Sequence, residues 1–228
     1  MPWVLKQAVA LSPDVGYEKY LYLGQLLEAP EDALAATRKG VQVLQAQHAA
    51  AQAASSEEAP ALSRALSGAM CSLSEMLIAG AQERAVSAAA ERGCDAAAIE
   101  AASKEAVASV AEEAEHLLSL ASTADPDSPE PGQALAALRY QQGRAADALE
   151  VLEGLIEEDD RVPDAWHLLA LAYYSGHQYV EAAEVLAKGQ ALLAKLGAGP
   201  EDEITQEFAE LDSVIKEAMT VTTAGAAQ

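Results

Sequence analysis

Residues 163–196 read PDAWHLLALAYYSGHQYVEAAEVLAKGQALLAKL, the outline of two helices that pack as a pair. In such a pair the first helix buries a large residue near its start, here Trp166, and a Leu-small couple one turn on, here Leu169-Ala170. The second helix needs a small residue where it crosses the first, and Ala182 stands there, followed by Leu186 and Gly189. Working outward, the same residues occur 34 positions earlier: Leu135-Ala136, Ala148, Leu152, and Pro129 for Pro163. One period earlier again come Ala114 and Leu118. A period of that length, held in register over the last two-thirds of the chain, is that of a helical repeat array.

The composition agrees. Of 228 residues, 51% are apolar and 4% aromatic, and the apolar content is mostly Ala and Leu, which favour helix. Against 14 Lys plus Arg stand 36 Asp plus Glu, a formal charge of −22. So acidic a chain lacks the clustered cations that phosphate binding requires, which excludes nucleic acid as a direct partner and favours a basic protein. Two cysteines, Cys71 and Cys94, are too few for a disulfide framework and their spacing is not that of a zinc or redox motif, so a reducing compartment is expected. No membrane span is expected, since the most apolar window, 62–80, is broken by Arg64 and Glu75. Residues 1–13 carry Lys6 in a short amphipathic stretch and do not read as a signal peptide.

The pattern resembles the tetratricopeptide repeat. In the copy at 163–196, Trp166, Leu169-Ala170, Tyr173, Ala182, Leu186 and Gly189 take the consensus places. The copy at 129–162 matches at Leu135, Ala136, Gly143, Ala148 and Leu152, with Gly132 where Trp would be. The one before it matches only in its second half, through Ala114, Leu118, Ala121 and Pro126. A further copy over 17–44 has Tyr20, Leu23-Gly24, Ala33 and Lys39-Gly40. Ala8 and Pro13 are spaced like Ala121 and Pro126, so residues 1–13 read as the tail of a second helix without its partner, and the chain is expected to begin within a repeat.

The implied fold is all-α, a right-handed solenoid of stacked antiparallel helix pairs over 1–196 with a degenerate middle. An insertion is expected at about 45–60, where Ser55-x-x-Glu58 reads as a capping box. Long helices are expected over 62–91 and 95–122, with Ser128 capping the next. Residues 197–220 should hold an acidic C-terminal helix opening after Pro200, and 221–228 a disordered tail.

Longer strings go beyond the repeat consensus. GYEKYLYLGQL at 16–26 with Lys39-Gly40, VLEGLIEEDD at 151–160 running into VPDAWHLL at 162–169, and ALSGAMCSLSE at 65–75 resemble the dedicated assembly chaperones of large-subunit ribosomal protein L4. Relative to that family the chain is expected to be N-terminally shortened. The resemblance implies a holdase that captures newly made L4 through its basic internal extension, keeps it soluble, and hands it to pre-60S particles in the nucleus. It also implies a cytoplasmic and nuclear protein, with nuclear import machinery reached through the client.

In a tetratricopeptide array, particular positions of each first helix line the concave face, which marks contact candidates. In the last copy they are Asp164, His167, Leu171, Tyr174 and Ser175. In the copy before they are Glu130, Gln133, Ala137, Tyr140 and Gln141, and in the first copy Glu18, Leu21, Gln25 and Glu28. Carboxylates pair with guanidinium groups and tyrosine faces accept cations, so these types suit a Lys- and Arg-rich segment. The run Glu157-Glu158-Asp159-Asp160 has two readings, a rim that attracts a basic client or the solvated end of a helix, and acids there oppose the helix dipole, which leans towards the rim. Trp166, Tyr173 and Tyr179 are expected in the core, and at least one of Tyr17, Tyr20 and Tyr22 must be exposed, since one helix face cannot hold all three.

His48, His116, His167 and His177 are scattered, no metal-ligand spacing or Gly-rich phosphate loop occurs, and neither cysteine has a catalytic neighbour. A binding protein rather than an enzyme is expected, monomeric and without cofactor or metal. The alternative is a generic tetratricopeptide scaffold or a co-chaperone for another protein. A clamp for a C-terminal carboxylate would need Lys, Arg and Asn at the inner positions, where the last copy has Asp164, His167 and Leu171.

Overall fold

The computed structural model describes residues 2–226, with side chains from 3 to 221. It is all-α. The helices are α1 (Pro2–Leu11), α2 (Glu18–Leu26), α3 (Pro30–Ala53), α4 (Ala59–Glu91), α5 (Ala96–Ala124), α6 (Glu130–Gln141), α7 (Ala145–Glu158), α8 (Pro163–Ser175), α9 (Tyr179–Leu196) and α10 (Glu203–Ala226). They form two compact units, Met1–Ala134 and Leu135–Gln228. This division cuts α6.

In the first unit each helix from α1 to α5 packs on the next. Small residues set how closely they approach. A Cβ on Gly24 would lie 2.2 Å from Thr37 Oγ1 on α3, and one on Gly40 would lie 2.8 Å from Leu21 Cδ2 and 3.1 Å from Tyr20 Cβ on α2. The Leu-Gly pair and the Lys-Gly pair of the first repeat are thus the two sides of one helix crossing. The longest pair, α4 with α5, buries Ala69, Ala81, Ala89, Ala111, Ala114 and Ala121 beside Leu66, Leu73, Leu77 and Leu118. Alternating small and large side chains let two long helices lie close. Asp95 caps α5 by accepting from the backbone N–H of Ala98 at 2.9 Å.

The segment 45–60 is helical through Ala53 and then turns in five residues into α4. The capping box is not formed there. Ser55 sits in the left-handed region at φ 50, while the N–H of Ser56 bonds back to the Ala51 carbonyl and Glu58, at the start of α4, makes no side-chain cap. This is a helix C-terminal closure that ordinarily uses glycine, as at Gly93, Gly143 and Gly197 elsewhere in the chain. Ser55→Gly should therefore stabilise the protein by about 1 kcal/mol, read as a higher Tm. Ser128 likewise stands two residues before α6, whose first carbonyl acceptor is Pro129.

In the second unit α7, α8 and α9 pack in sequence and α10 lies on α8 and α9. Its core holds the repeat residues Ala136, Ala148, Leu152, Leu169, Ala170, Ala182 and Leu186, all buried, together with Phe208, Leu211 and Ile215 of α10. Phe208 is the largest fully buried side chain. It lies where a Cβ on Gly189 would come within 2.4 Å of its ring, and that same Cβ would lie 2.9 Å from Trp166 Cβ. The second small residue of the repeat is therefore the seat of the C-terminal helix. That helix runs on through residues 221–226, where a tail was expected, and 227–228 lie outside the described residues.

The aromatic expectations divide. Tyr20 is buried and Tyr22 exposed, with Tyr17 between. Trp166, Tyr173 and Tyr179 are half-buried rather than fully in the core. The polar ends of the first two explain it: Trp166 Nε1 donates to the Asp160 carbonyl at 2.8 Å, and the Tyr173 hydroxyl donates to Glu153 Oε1 at 2.6 Å. Buried rings with polar handles keep those handles where partners are.

Candidate functional site

The candidate contact residues fall on both units. On α2, Glu18 and Gln25 are exposed and lie seven residues apart on one face, with Glu28 exposed just beyond the helix. Tyr22, four residues after Glu18, shares that stripe and is 59% exposed. The repeat register had selected Leu21 instead, but Leu21 packs on Gly40. Helical spacing from Glu18 would have found Tyr22. On the first part of α6, Glu130 is exposed and Gln133 half-buried.

In the second unit, Tyr140 and Tyr174 are one repeat apart and both half-buried against the core. The Tyr174 ring lies 5.6 Å from that of Tyr179, which also meets His177 through a 2.8 Å contact between His177 Nδ1 and its hydroxyl. Asp164 is exposed at the start of α8. His167, half-buried, is occupied by an intramolecular contact, its ring 5.1 Å from Phe208 at 47°. A C-terminal helix covering this position was not foreseen, because the repeat register stops at residue 196.

The acid run at the end of α7 is not uniform. Asp159 is engaged by Arg161, whose Nε donates at 2.9 Å to Oδ1 and Nη2 at 3.2 Å to Oδ2. These bonds hold the Asp159 carboxyl below its usual range. Glu157, Glu158 and Asp160 are exposed carboxylates around the α7–α8 turn, and the backbone of that turn is fixed by the Trp166 bond to the Asp160 carbonyl. Lys188 Nζ lies 5.8 Å from the centre of the Trp166 ring, so the indole already serves as a cation platform from within the chain.

Tyr173 adds a titratable partner. Its hydrogen bond to Glu153, followed by burial and the Glu153 and Glu181 charges, pushes its hydroxyl up to about 12. Because the folded-state value lies above the ordinary 10, the stabilisation is complete below pH 10 and is lost as pH rises through 12. Ultraviolet titration should show Tyr173 among the late-titrating tyrosines, Tyr17 being held up as well by burial and the Glu18 charge, and Tyr173→Phe should remove one late step.

One pair and one thiol look reactive in outline and are not. His48 Nε2 lies 3.0 Å from Ser63 Oγ, but that hydroxyl donates to the Ala124 carbonyl at 2.8 Å. His48 must then donate to Ser63, the reverse of a base activating a nucleophile, and the three groups tie α3, α4 and the end of α5 together. Burial, then the Glu130 and Glu75 charges, raise the Cys71 thiol to about 11, so it is a neutral thiol near pH 7. Among the described residues no group of three or more His, Cys, Asp or Glu is placed to hold a metal ion, and no helix is long and apolar enough to cross a membrane.

A sequence profile of the tetratricopeptide repeat matches residues 108–172 and 139–195. No curated protein matches the sequence. Among solved structures, the Assembly Chaperone of RpL4 (Acl4), residues 1–338, is similar with a TM-score of 0.64 and 18% identity, over 100% of this chain and 79% of that one. The TPR2AB-domain:pHSP90 complex of yeast Sti1 is similar at a TM-score of 0.42 and 14% identity, over 88% of this chain and 90% of that one. YrrB, a TPR protein with an unusual peptide-binding site, is similar at 0.38 and 15%, over 90% of this chain and 97% of that one. The fold is the all-α, stacked-helix-pair construction of tetratricopeptide-like solenoids, and at 18% identity the likeness to Acl4 is one of fold.

Proposed function

We propose that this chain is a protein-binding helical-repeat chaperone whose client is a basic segment of ribosomal protein L4. The observation that carries the reading is the exposed carboxylate rim of Glu157, Glu158 and Asp160 on a turn held by Trp166. Acids at that end of α7 oppose its dipole, so their placement serves something other than helix stability. Exposed Glu18, Gln25 and Glu28 offer the first unit a second set of acceptors, and half-buried Tyr140 and Tyr174 offer cation-accepting ring faces in the second. The choice of L4 draws on the fold shared with Acl4, described as an assembly chaperone of RpL4, and on the sequence strings at 16–26 and 151–169.

On this reading the chain works without covalent chemistry. A charge of −22 steers a cationic client to encounter, and the carboxylates and tyrosines retain it. As a monomer it accompanies L4 from cytoplasm to nucleus, enters with import machinery through the client, and releases it to pre-60S assembly. The test is affinity capture of the tagged full chain from cell extract with quantitative mass spectrometry. Stoichiometric recovery of L4 is expected; recovery of a heat-shock protein without L4 would overturn the proposal.

A further inference from the structure

Two serines in the chain precede a proline, Ser12 and Ser128. Proline carries no backbone N–H, so a kinase pocket that offers that N–H no acceptor selects a Ser-Pro pair over other serines. The structure separates the two sites. Residues 11–15, from the end of α1 into the turn before α2, are all exposed, Ser12 and Pro13 among them. Ser128 and Pro129 are half-buried, and Pro131, two residues on in the first turn of α6, is fully buried.

The charges differ as well. Lys19 Nζ donates to the carbonyls of Ser12 and Val15 and, among the described residues, pairs with no carboxylate. An ammonium has three N–H donors, so one remains. Lys39 Nζ reaches the same turn, 3.4 Å from Asp14 Oδ1. With Asp14 and Glu18, these two lysines leave the surroundings of Ser12 without net charge, whereas Asp125, Asp127 and Glu130 stand within three residues of Ser128 and no lysine or arginine does. A phosphate adds about −1.5 to −2 charges. On Ser12 it would stand at the negative end of the α1 dipole, where it needs a cation in reach, and Lys19 is already held there.

We propose that Ser12 is a phosphorylation site for a proline-directed serine kinase and that Lys19 receives the phosphate. Ser12 Oγ bonds to the γ-phosphorus of ATP as the bond to the ADP oxygen breaks, and the hydroxyl proton passes to the kinase. Lys19 Nζ then gives its remaining donor to the phosphate. The turn is already stitched by Tyr20, whose hydroxyl donates to the Pro13 carbonyl at 2.9 Å, and the added bond ties α1 more firmly to α2, on which it packs.

The test treats the full chain with a mitogen-activated protein kinase and magnesium ATP, with sites and rates mapped by mass spectrometry. Phosphate on Ser12 is expected, about tenfold faster than on Ser128, whose half-buried segment must first open. No phosphate on Ser12, or an equal or greater rate on Ser128, would overturn the site. Hydrogen exchange tests Lys19. After phosphorylation the amides of residues 12–16 should exchange about two- to fivefold more slowly, and K19M should abolish that difference. Exchange that is unchanged or faster in the parent, or slowed equally in K19M, would overturn the role of Lys19.

Discussion

Truncating Phe208 to alanine should destabilise the second unit by about 3–5 kcal/mol, the cost of emptying a fully buried aromatic site. The ring is 1% exposed, packs beside His167, and fills the space that Gly189 leaves open. No neighbouring side chain can close that space cheaply, because Gly189 has none and Leu186, Leu211 and Ile215 are already buried in the same core. The converse change should also be costly: Gly189→Leu puts a Cβ 2.4 Å from the Phe208 ring, and the double variant with Phe208→Ala should recover part of the loss. Urea unfolding followed by circular dichroism measures both. A Phe208→Ala loss below about 1 kcal/mol would mean that α10 is not integral to the second unit.

The second large effect concerns binding. Changing Glu157 and Glu158 to Gln and Asp160 to Asn should weaken a Lys- and Arg-rich client segment by roughly tenfold at low salt, each exposed pair being worth about 0.2–1 kcal/mol. Asp159 is left unchanged because its carboxylate already serves Arg161. The loss should fade as ionic strength rises and the Debye length falls below the charge separation. Stability should hold or rise slightly, since acids at the end of α7 oppose its dipole. An isothermal titration in which the triple variant binds like the parent would remove the rim from the account.

The helix pairs were legible because their determinants are local and periodic. Leu169-Ala170, Ala182 and Leu186 are buried where the period puts them, and Gly24 and Gly40 each face side chains of the opposite helix, Thr37 and Leu21. What escaped depended on partners distant in sequence. Phe208 reads as one aromatic in an acidic helix until Gly189 is seen to receive it, although the spacing Ile204, Phe208, Leu211, Ile215, Met219 marks an apolar face. Ser55 has the spacing of a capping box, yet it closes α3 instead of opening α4. Leu21 and Tyr22 exchange roles because Gly40 lets α2 approach closely enough to cover Leu21. A repeat register assigns positions on an average helix, and close helix crossings rotate the exposed face away from that average.

On the proposed function, a −22 chain built of paired helices holds a basic protein segment by charge as well as shape. Its most direct test is the affinity of the full chain for a purified Lys- and Arg-rich segment of ribosomal protein L4, titrated from low to high salt. Specific binding at low salt that weakens steeply as salt rises is expected. Binding that is indifferent to salt, or no tighter than to an uncharged segment of equal length, would contradict it.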